Sequence, residues 1–232
     1  MKILSKSGNE ASVLHFCGYS KRSLSAYMFR MSEQIVSKPA DVTIITFGQE
    51  NIFSPLIEQL KKSDISYINP AVDVVNWKNT LKPQLTLNAL NNVSTQYAVI
   101  LDSADVVLTE KFINIVDRYQ SYGKDIVFSG NSVQFPNVSL DSVVGREGWG
   151  TEKYLNSGCV IGKVESLKSF YTAVISAGNE DNQFKSDQYM VRSVYDAYKD
   201  IAAIDYQSKC FQSMIGHTIL SMDETSTNYI IE

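Results

Sequence analysis

The chain is poor in three residue types that define whole classes of protein. Among its 232 residues are 12 glycines, 5 prolines and 3 cysteines. So few glycines and prolines exclude a collagen-like or low-complexity chain, and three cysteines are too few for a disulfide framework. No stretch of about 20 residues is continuously apolar, so we expect no membrane-spanning helix. The first apolar run stops at Ser5, which predicts no secretory signal and a cytoplasmic protein with reduced thiols.

A strong charge of one sign is also lacking. Lysine and arginine number 21 against 25 acidic residues, for a net charge of −4. This balance argues against a protein that binds nucleic acid through a strongly basic surface. The hydrophobic content of 44% is that of a globular rather than a disordered chain. A chain of this length fits a single domain.

Strand-like and helix-like segments alternate along the chain, which predicts an α/β fold with a mostly parallel central sheet. Short apolar runs predict strands at residues 41–47, 65–69, 97–102, 125–129, 154–162 and 201–205. Residues 130–151 have no regular period and are predicted to form a long loop, which in a compact domain is usually functional. Residues 1–40 fit the pattern less well. We interpret them as an N-terminal addition packed on a domain at residues 41–232.

Two carboxylates follow the most apolar predicted strand, in the sequence Asp102-Ser-Ala-Asp105. Ligands of parallel α/β sheets bind outside the carboxyl ends of the strands. Carboxylate oxygens are preferred ligands of Mg²⁺ and Mn²⁺. The motif therefore indicates a divalent metal site that would also meet diphosphate oxygens. Spacing alone equally allows one aspartate to cap a helix and the other to be solvated.

Further motifs follow this pair in a definite order. Residues 125–131 read Asp-Ile-Val-Phe-Ser-Gly-Asn, residues 154–162 read Tyr-Leu-Asn-Ser-Gly-Cys-Val-Ile-Gly, and residues 186–189 read Ser-Asp-Gln-Tyr. Together with the aspartate pair, this order resembles the glycosyltransferase domain of procollagen lysyl hydroxylases and related collagen-type, bacterial and viral glycosyltransferases. The resemblance covers roughly residue 41 to the C-terminus. It implies a single GT-A, Rossmann-like domain.

The resemblance also implies an activity, the metal-dependent transfer of a sugar from a nucleoside-diphosphate sugar, most readily a UDP-sugar, to a hydroxyl acceptor. Asp102 and Asp105 match the metal-binding pair of the family, with Mn²⁺ as the expected ion and Mg²⁺ as the alternative. Asn156, Asp187 and Gln188 match residues expected beside the sugar and the acceptor, and are the predicted catalytic residues. The other residues expected to hold the donor are Thr46, Phe47, Trp77, Lys82 and Ser103.

The chain departs from the family at its C-terminus, where the family supplies a histidine as a third metal ligand. Glu232 stands about where that histidine would be. Three explanations stay open: Glu232 or the terminal carboxylate binds the metal, His217 binds it from an earlier loop, or the protein continues beyond Glu232. His15 is the other histidine of the chain and is interpreted as structural.

The acceptor is not specified by these motifs. A glycan precursor and a hydroxymethylated DNA base of a bacteriophage are both plausible. Basic and aromatic groups that would suit a nucleic-acid backbone occur together at Tyr19, Lys21, Arg22, Tyr27 and Arg30. A solvated helix start is the simpler interpretation of the same residues. The departure at the C-terminus favours a second class of function, a nucleotide- or glycan-binding module without catalysis.

Overall fold

The structure is a computed structural model that describes residues 2–4, 9–18, 20–137, 152–215 and 228–230. Its strands are β1 (Lys2–Leu4), β2 (Val13–His15), β3 (Val42–Thr46), β4 (Tyr67–Ile68), β5 (Tyr97–Leu101), β6 (Val106–Leu108), β7 (Ile126–Asn131), β8 (Tyr154–Lys163), β9 (Ala202–Asp205), β10 (Phe211–Ser213) and β11 (Asn228–Ile230). Its helices are α1 (Ser20–Ser23), α2 (Ser25–Ser32), α3 (Pro55–Lys62), α4 (Lys82–Leu90), α5 (Ile115–Gln120), α6 (Val164–Ser176) and α7 (Asp187–Tyr198). Short 3₁₀ helices span Asn79–Leu81 and Glu110–Asn114.

Six strands form the main sheet, in the order β4-β3-β5-β8-β7-β9. Strand β3 is parallel to both β4 and β5, and β7 is parallel to β9. The ten-residue strand β8 is antiparallel to its neighbours β5 and β7. The predicted α/β class is confirmed, and the sheet is mixed, because β8 alone among its six strands runs against the direction of the others. A strand buried on both faces has the same apolar pattern in either direction, so its sequence does not reveal its orientation.

A second, three-stranded sheet has the order β10-β2-β6. Strand β2 lies at its centre, parallel to β10 and antiparallel to β6. The amino-terminal segment is therefore hydrogen-bonded between two strands that come from much later in the chain. In this register His15 lies opposite Val106, the first residue after Asp105. Strands β1 and β11 pair in parallel with each other. The domain boundary at residue 40 stays a prediction.

Apolar side chains pack on both faces of the main sheet. Helices α4, α6 and α7 cover one face, where Phe170 and Val191 are fully buried. On the other face, α3 and α5 pack with residues of the second sheet around Leu56 and Tyr119. All five residues of β5 are buried, which explains its continuous apolar sequence. No helix among the described residues is long and apolar enough to cross a membrane.

One buried polar side chain joins α3 to the second sheet. Gln59 is fully buried. Its Nε2 donates to the carbonyl oxygen of Leu108 at 2.9 Å, and its Oε1 accepts from the Leu108 amide at 2.7 Å. The amide group of Gln59 therefore satisfies both backbone groups of a strand residue, as a neighbouring strand would. This contact holds β6 in position immediately after the aspartate pair.

Candidate active site

A pocket of about 370 Å³ opens at the carboxyl ends of β3 and β5. Because these two strands are parallel neighbours, the residues that follow them meet at one edge of the sheet. Of the residues predicted from the sequence, those that line the pocket are Phe47, Trp77, Lys82, Asp102, Ser103, Asp105 and Asp187. The structure thus brings most of the predicted donor and metal residues together.

The aspartate pair lies in the turn between β5 and β6, and His15 faces it from the end of β2. The Nε2 atom of His15 is 3.7 Å from Oδ2 of Asp102 and 3.6 Å from Oδ1 of Asp105. One ligand atom from each of these three residues lies within 4.8 Å of the other two. His15 was interpreted as structural from the sequence, but the antiparallel pairing of β2 with β6 places its imidazole at the predicted metal site.

Two observations bear on whether this group fits a metal ion. His15 is 3% exposed and turns its Nε2 towards both carboxylates, while its other ring nitrogen, Nδ1, has no hydrogen-bond partner among the described residues. Gly158 leaves the space that the imidazole fills, because a Cβ atom there would lie 2.3 Å from Cε1 of His15 and 2.6 Å from Oδ2 of Asp102. An imidazole nitrogen with two carboxylates is a donor set that suits a divalent first-row metal. The residues present therefore fit the ion that the motif implies.

Lys82 is a buried cation beside the aspartate pair. Its Nζ lies 2.5 Å from Oδ1 of Asp102, 3.2 Å from the carbonyl oxygen of Ser157 and 3.4 Å from Oδ2 of Asp187. Burial alone lowers the pKa of the Lys82 ammonium, but the charges of Asp102 and Asp187 outweigh it and hold the pKa above its usual value. Lys82 therefore stays positively charged at neutral pH inside the pocket.

The two aspartates have different electrostatic surroundings. Burial raises the pKa of the Asp102 carboxyl above its usual value, although the charge of Lys82 opposes this shift. Burial also disfavours the charged form of Asp105, but the neighbouring His15 imidazole and the charge of Lys21 outweigh it and lower the pKa. A divalent cation between the two would stabilise both carboxylates in their charged form.

The segment of β8 at residues 156–158 meets the start of α7 next to Lys82. Oγ of Ser157 donates to Oδ2 of Asp187 at 2.9 Å, and the Ser157 amide donates to Oε1 of Gln188 at 3.4 Å. Oδ1 of Asn156 accepts from the Gly158 amide at 2.7 Å. Asn156 and Gln188 are buried and do not line the pocket. Among the three predicted catalytic residues, only Asp187 reaches it.

Two aromatic side chains, Phe47 and Trp77, also line the pocket. The ring centroids of Phe47 and Trp77 are 6.1 Å apart, and Nε1 of Trp77 donates to Oδ1 of Asn79 at 3.0 Å. Oγ of Ser103 donates to the carbonyl oxygen of Phe47 at 2.9 Å, which ties the aspartate turn to the end of β3. Thr46 is fully buried and does not line the pocket.

Other predicted residues are placed differently or lie outside the described part of the chain. His217 and Glu232 are outside it, so their roles as metal ligands stay predictions, as does the role of residues 138–151 in the predicted loop. Tyr27, on α2, is only 5% exposed and packs in a buried apolar cluster, so its ring does not offer a surface to a nucleic-acid backbone. Lys21, from the same basic segment, lines the pocket instead.

The places of His15 and Ser157 in this site were not predicted from the sequence. Ser157 carried a weak signal, as a polar residue between two apolar runs, because buried polar groups need partners. His15 carried no local signal. It is distant in sequence from both aspartates and approaches them only through the pairing of β2 with β6.

Comparison with known families agrees with this geometry. The family model for the PLOD GT domain, the glycosyltransferase domain of lysyl hydroxylases, matches residues 78–228, which is more than half of the chain. The chain belongs to this family. The resemblance inferred from the motifs is confirmed, and the family indicates a glycosyltransferase-like function. No curated protein matches the chain.

The PLOD glycosyltransferase model covers only part of the pocket of this family member. The matched range 78–228 includes Lys82, the aspartate pair, the segment of β8 at residues 156–158 and helix α7. Phe47 and Trp77 precede the matched range, and so do His15 and Lys21. Residues outside the family match therefore supply part of the pocket wall.

Proposed function

We propose that this chain is a metal-dependent glycosyltransferase with a GT-A domain, which transfers a sugar from a UDP-sugar to a hydroxyl acceptor. The observation that carries the proposal is the grouping of His15 with Asp102 and Asp105, two residues that line a pocket together with a buried lysine and two aromatic rings. A divalent cation, a diphosphate and a nucleobase each find complementary groups there. The family match supports the same class of reaction.

The proposed metal ligands are His15, Asp102 and Asp105. When bound, the cation would act as a Lewis acid on the diphosphate leaving group. Mg²⁺ is held mainly by oxygen ligands, so an imidazole nitrogen in the set favours a transition metal such as Mn²⁺. In this proposal His15 is the third ligand, in place of a residue from the C-terminal part of the chain.

Lys82 and Asp187 are the proposed residues at the reacting end of the donor. Lys82 is charged and already fixed by three oxygen partners, so it can stabilise the negative charge that develops on the departing diphosphate without reorganisation. Asp187 is held by Ser157 and Lys82, and its carboxylate reaches the pocket. There it would position the acceptor hydroxyl or stabilise positive charge on the sugar.

Phe47 and Trp77 are the proposed nucleobase contacts. Stacking of a base on an aromatic ring contributes about 1–3 kcal/mol in single-stranded nucleic-acid complexes. The rings are tilted by 41° with respect to each other, so a base would stack on one of them rather than lie between the two.

The second candidate is a nucleotide-binding module without transfer activity. It is favoured by the burial of Asn156 and Gln188, two of the three predicted catalytic residues, which do not line the pocket. For either candidate, a glycan and a hydroxymethylated DNA base are the acceptor classes to compare. The two candidates share a donor site and differ in whether the sugar is transferred from the nucleotide.

Thermal unfolding with UDP, Mn²⁺ and both together tests the donor site. We expect UDP to raise the melting temperature only when Mn²⁺ is present, and Asp102→Asn to abolish that increase. Asp125→Asn is the matched control, because Asp125 is a similarly exposed carboxylate paired with Lys163 away from the pocket. Equal UDP stabilisation with and without Mn²⁺ would contradict the metal-dependent site.

Hydrolysis of a panel of UDP-sugars then separates the enzyme from the binding module. A transferase releases UDP slowly from its preferred donor even without an acceptor, and this release should be lost in Asp102→Asn and kept in Asp125→Asn. Donor binding with no UDP release, with or without glycan and hydroxymethylated DNA acceptors, would favour the binding module.

A further inference from the structure

The short helix α1 brings a second lysine to the pocket. Lys21 lines the pocket, and its Nζ lies 3.7 Å from Oδ2 of Asp105. It belongs to the amino-terminal segment, which precedes the family match at residues 78–228. The sequence left this basic segment open as a nucleic-acid contact or a solvated helix start, and the fold places Lys21 beside the aspartate pair.

Lys21 and Lys82 approach different members of that pair. Lys82 contacts Asp102 and is buried, with its ammonium held by oxygens of three residues. Lys21 contacts Asp105, and its side chain is 46% exposed, against 16% for the aspartate. An exposed ion pair of this kind contributes about 0–1 kcal/mol to stability. The Lys21 ammonium can therefore leave Asp105 at little cost when another anion enters the pocket.

The charge balance of the pocket indicates what that anion is. Three carboxylates and two lysines leave one negative charge (−3 + 2 = −1) when His15 is the neutral imidazole that a metal ligand must be. A divalent cation changes this to one positive charge, and the doubly negative diphosphate of a nucleotide sugar returns it to one negative charge. Without Lys21, the occupied site would carry one further uncompensated negative charge at the moment when the leaving group gains negative charge.

We propose that Lys21 binds the diphosphate of the donor, so that the amino-terminal segment completes a site which the family match covers only in part. The inference rests on the proposed function, since it assumes that a nucleotide diphosphate enters with a divalent cation. In the free protein Lys21 pairs with Asp105. In the complex its ammonium turns to a phosphate oxygen while the cation takes over the carboxylate.

This exchange predicts that loss of Lys21 changes the affinities for two ligands differently. Lys21→Met removes a positive charge beside a metal ligand, so the affinity for Mn²⁺ alone should stay equal or rise. The same variant removes a charged donor to the diphosphate, so the affinity for UDP with Mn²⁺ saturating should fall about tenfold. General damage to the site would instead weaken both ligands.

Isothermal titration of the full chain measures both affinities. Arg22→Met is the matched control, because Arg22 is exposed on the same helix and does not line the pocket. We expect Arg22→Met to bind Mn²⁺ and UDP like the unaltered protein, and Lys21→Arg to restore most of the UDP affinity. The melting temperatures of the unliganded variants should agree, which verifies that each one is folded.

Two different results would overturn the proposal, and only one of them would also overturn the proposed function. If the unaltered protein binds UDP with Mn²⁺ and Lys21→Met binds it equally well, the role of Lys21 is wrong while the proposed donor site stands. If the unaltered protein does not bind UDP in the presence of Mn²⁺, the proposed function fails and the role of Lys21 fails with it.

Discussion

The role of His15 as a metal ligand gives the sharpest prediction. His15→Gln removes an imidazole whose Nε2 lies 3.6–3.7 Å from both carboxylates of the proposed site. Loss of even an outer-shell partner commonly lowers metal affinity 10- to 100-fold. For a direct ligand we expect the upper end, a loss of about a hundredfold for Mn²⁺, or about 2.8 kcal/mol at about 1.4 kcal/mol per factor of ten.

The preference for Mn²⁺ over Mg²⁺ tests the role of His15 as a ligand more sharply than either affinity alone. Mg²⁺ depends on oxygen ligands, so the loss of a nitrogen ligand should weaken its binding by less than about tenfold. The ratio of Mn²⁺ to Mg²⁺ affinity should therefore fall by about tenfold or more in His15→Gln. This ratio does not change if part of the sample is unfolded, because both ions report on the same folded fraction.

His217→Gln is the natural companion variant, because the sequence offered His217 as a ligand of the same ion. Mn²⁺ titration, followed by the loss of the paramagnetic resonance signal of the free ion, measures both variants under the same conditions. Our assignment requires a large effect for His15→Gln and a small one for His217→Gln. The reverse order, or an unchanged Mn²⁺ to Mg²⁺ ratio in His15→Gln, would refute the reasoning.

Two further predictions concern the packing that supports the site. Gly158→Ala would place a methyl group 2.3 Å from Cε1 of His15 and 2.6 Å from Oδ2 of Asp102, so we expect a loss of about 1–3 kcal/mol in unfolding free energy and weaker Mn²⁺ binding. Denaturant unfolding and metal titration measure the two effects, and wild-type values of both would contradict the described contacts. Gln59→Leu leaves both backbone groups of Leu108 without this side-chain partner, so we expect the free energy of unfolding to fall by about 2–5 kcal/mol. Gln84 lies on the exposed face of α4, so Gln84→Leu should lower it by less than about 0.5 kcal/mol. Equal denaturation midpoints for the two glutamine variants would show that the contact to Leu108 contributes nothing.

The strands of the main sheet were predictable because their local signal is strong. Residues 97–102 and 154–162 were predicted as strands, and β5 and β8 are found there with shifts of one residue at an end. Buried strands need continuous apolar runs whatever their neighbours are. Strands β6 and β10 were missed, since each has only three residues and too few positions for a period to be recognised.

The metal pair was predictable for a related reason. Asp102 and Asp105 lie in one turn at the end of one strand, so a short piece of sequence contains both residues and their place in the fold. Asp187 was found through its motif, and the structure brings it to the pocket beside Lys82. Gln188 came from the same motif, but its Oε1 accepts a hydrogen bond from the Ser157 amide of β8, and Gln188 does not line the pocket.

By itself, the sequence determined the α/β class, the strand that ends at the aspartate pair and the family to which the chain belongs. Each of these depends on residues that are close together in the chain. The tertiary structure alone decided the antiparallel direction of β8 and the approach of His15 and Lys21 to the same two aspartates. These features arise from pairing between distant segments, whose register depends on hydrogen bonds and packing across the sheet rather than on any local pattern.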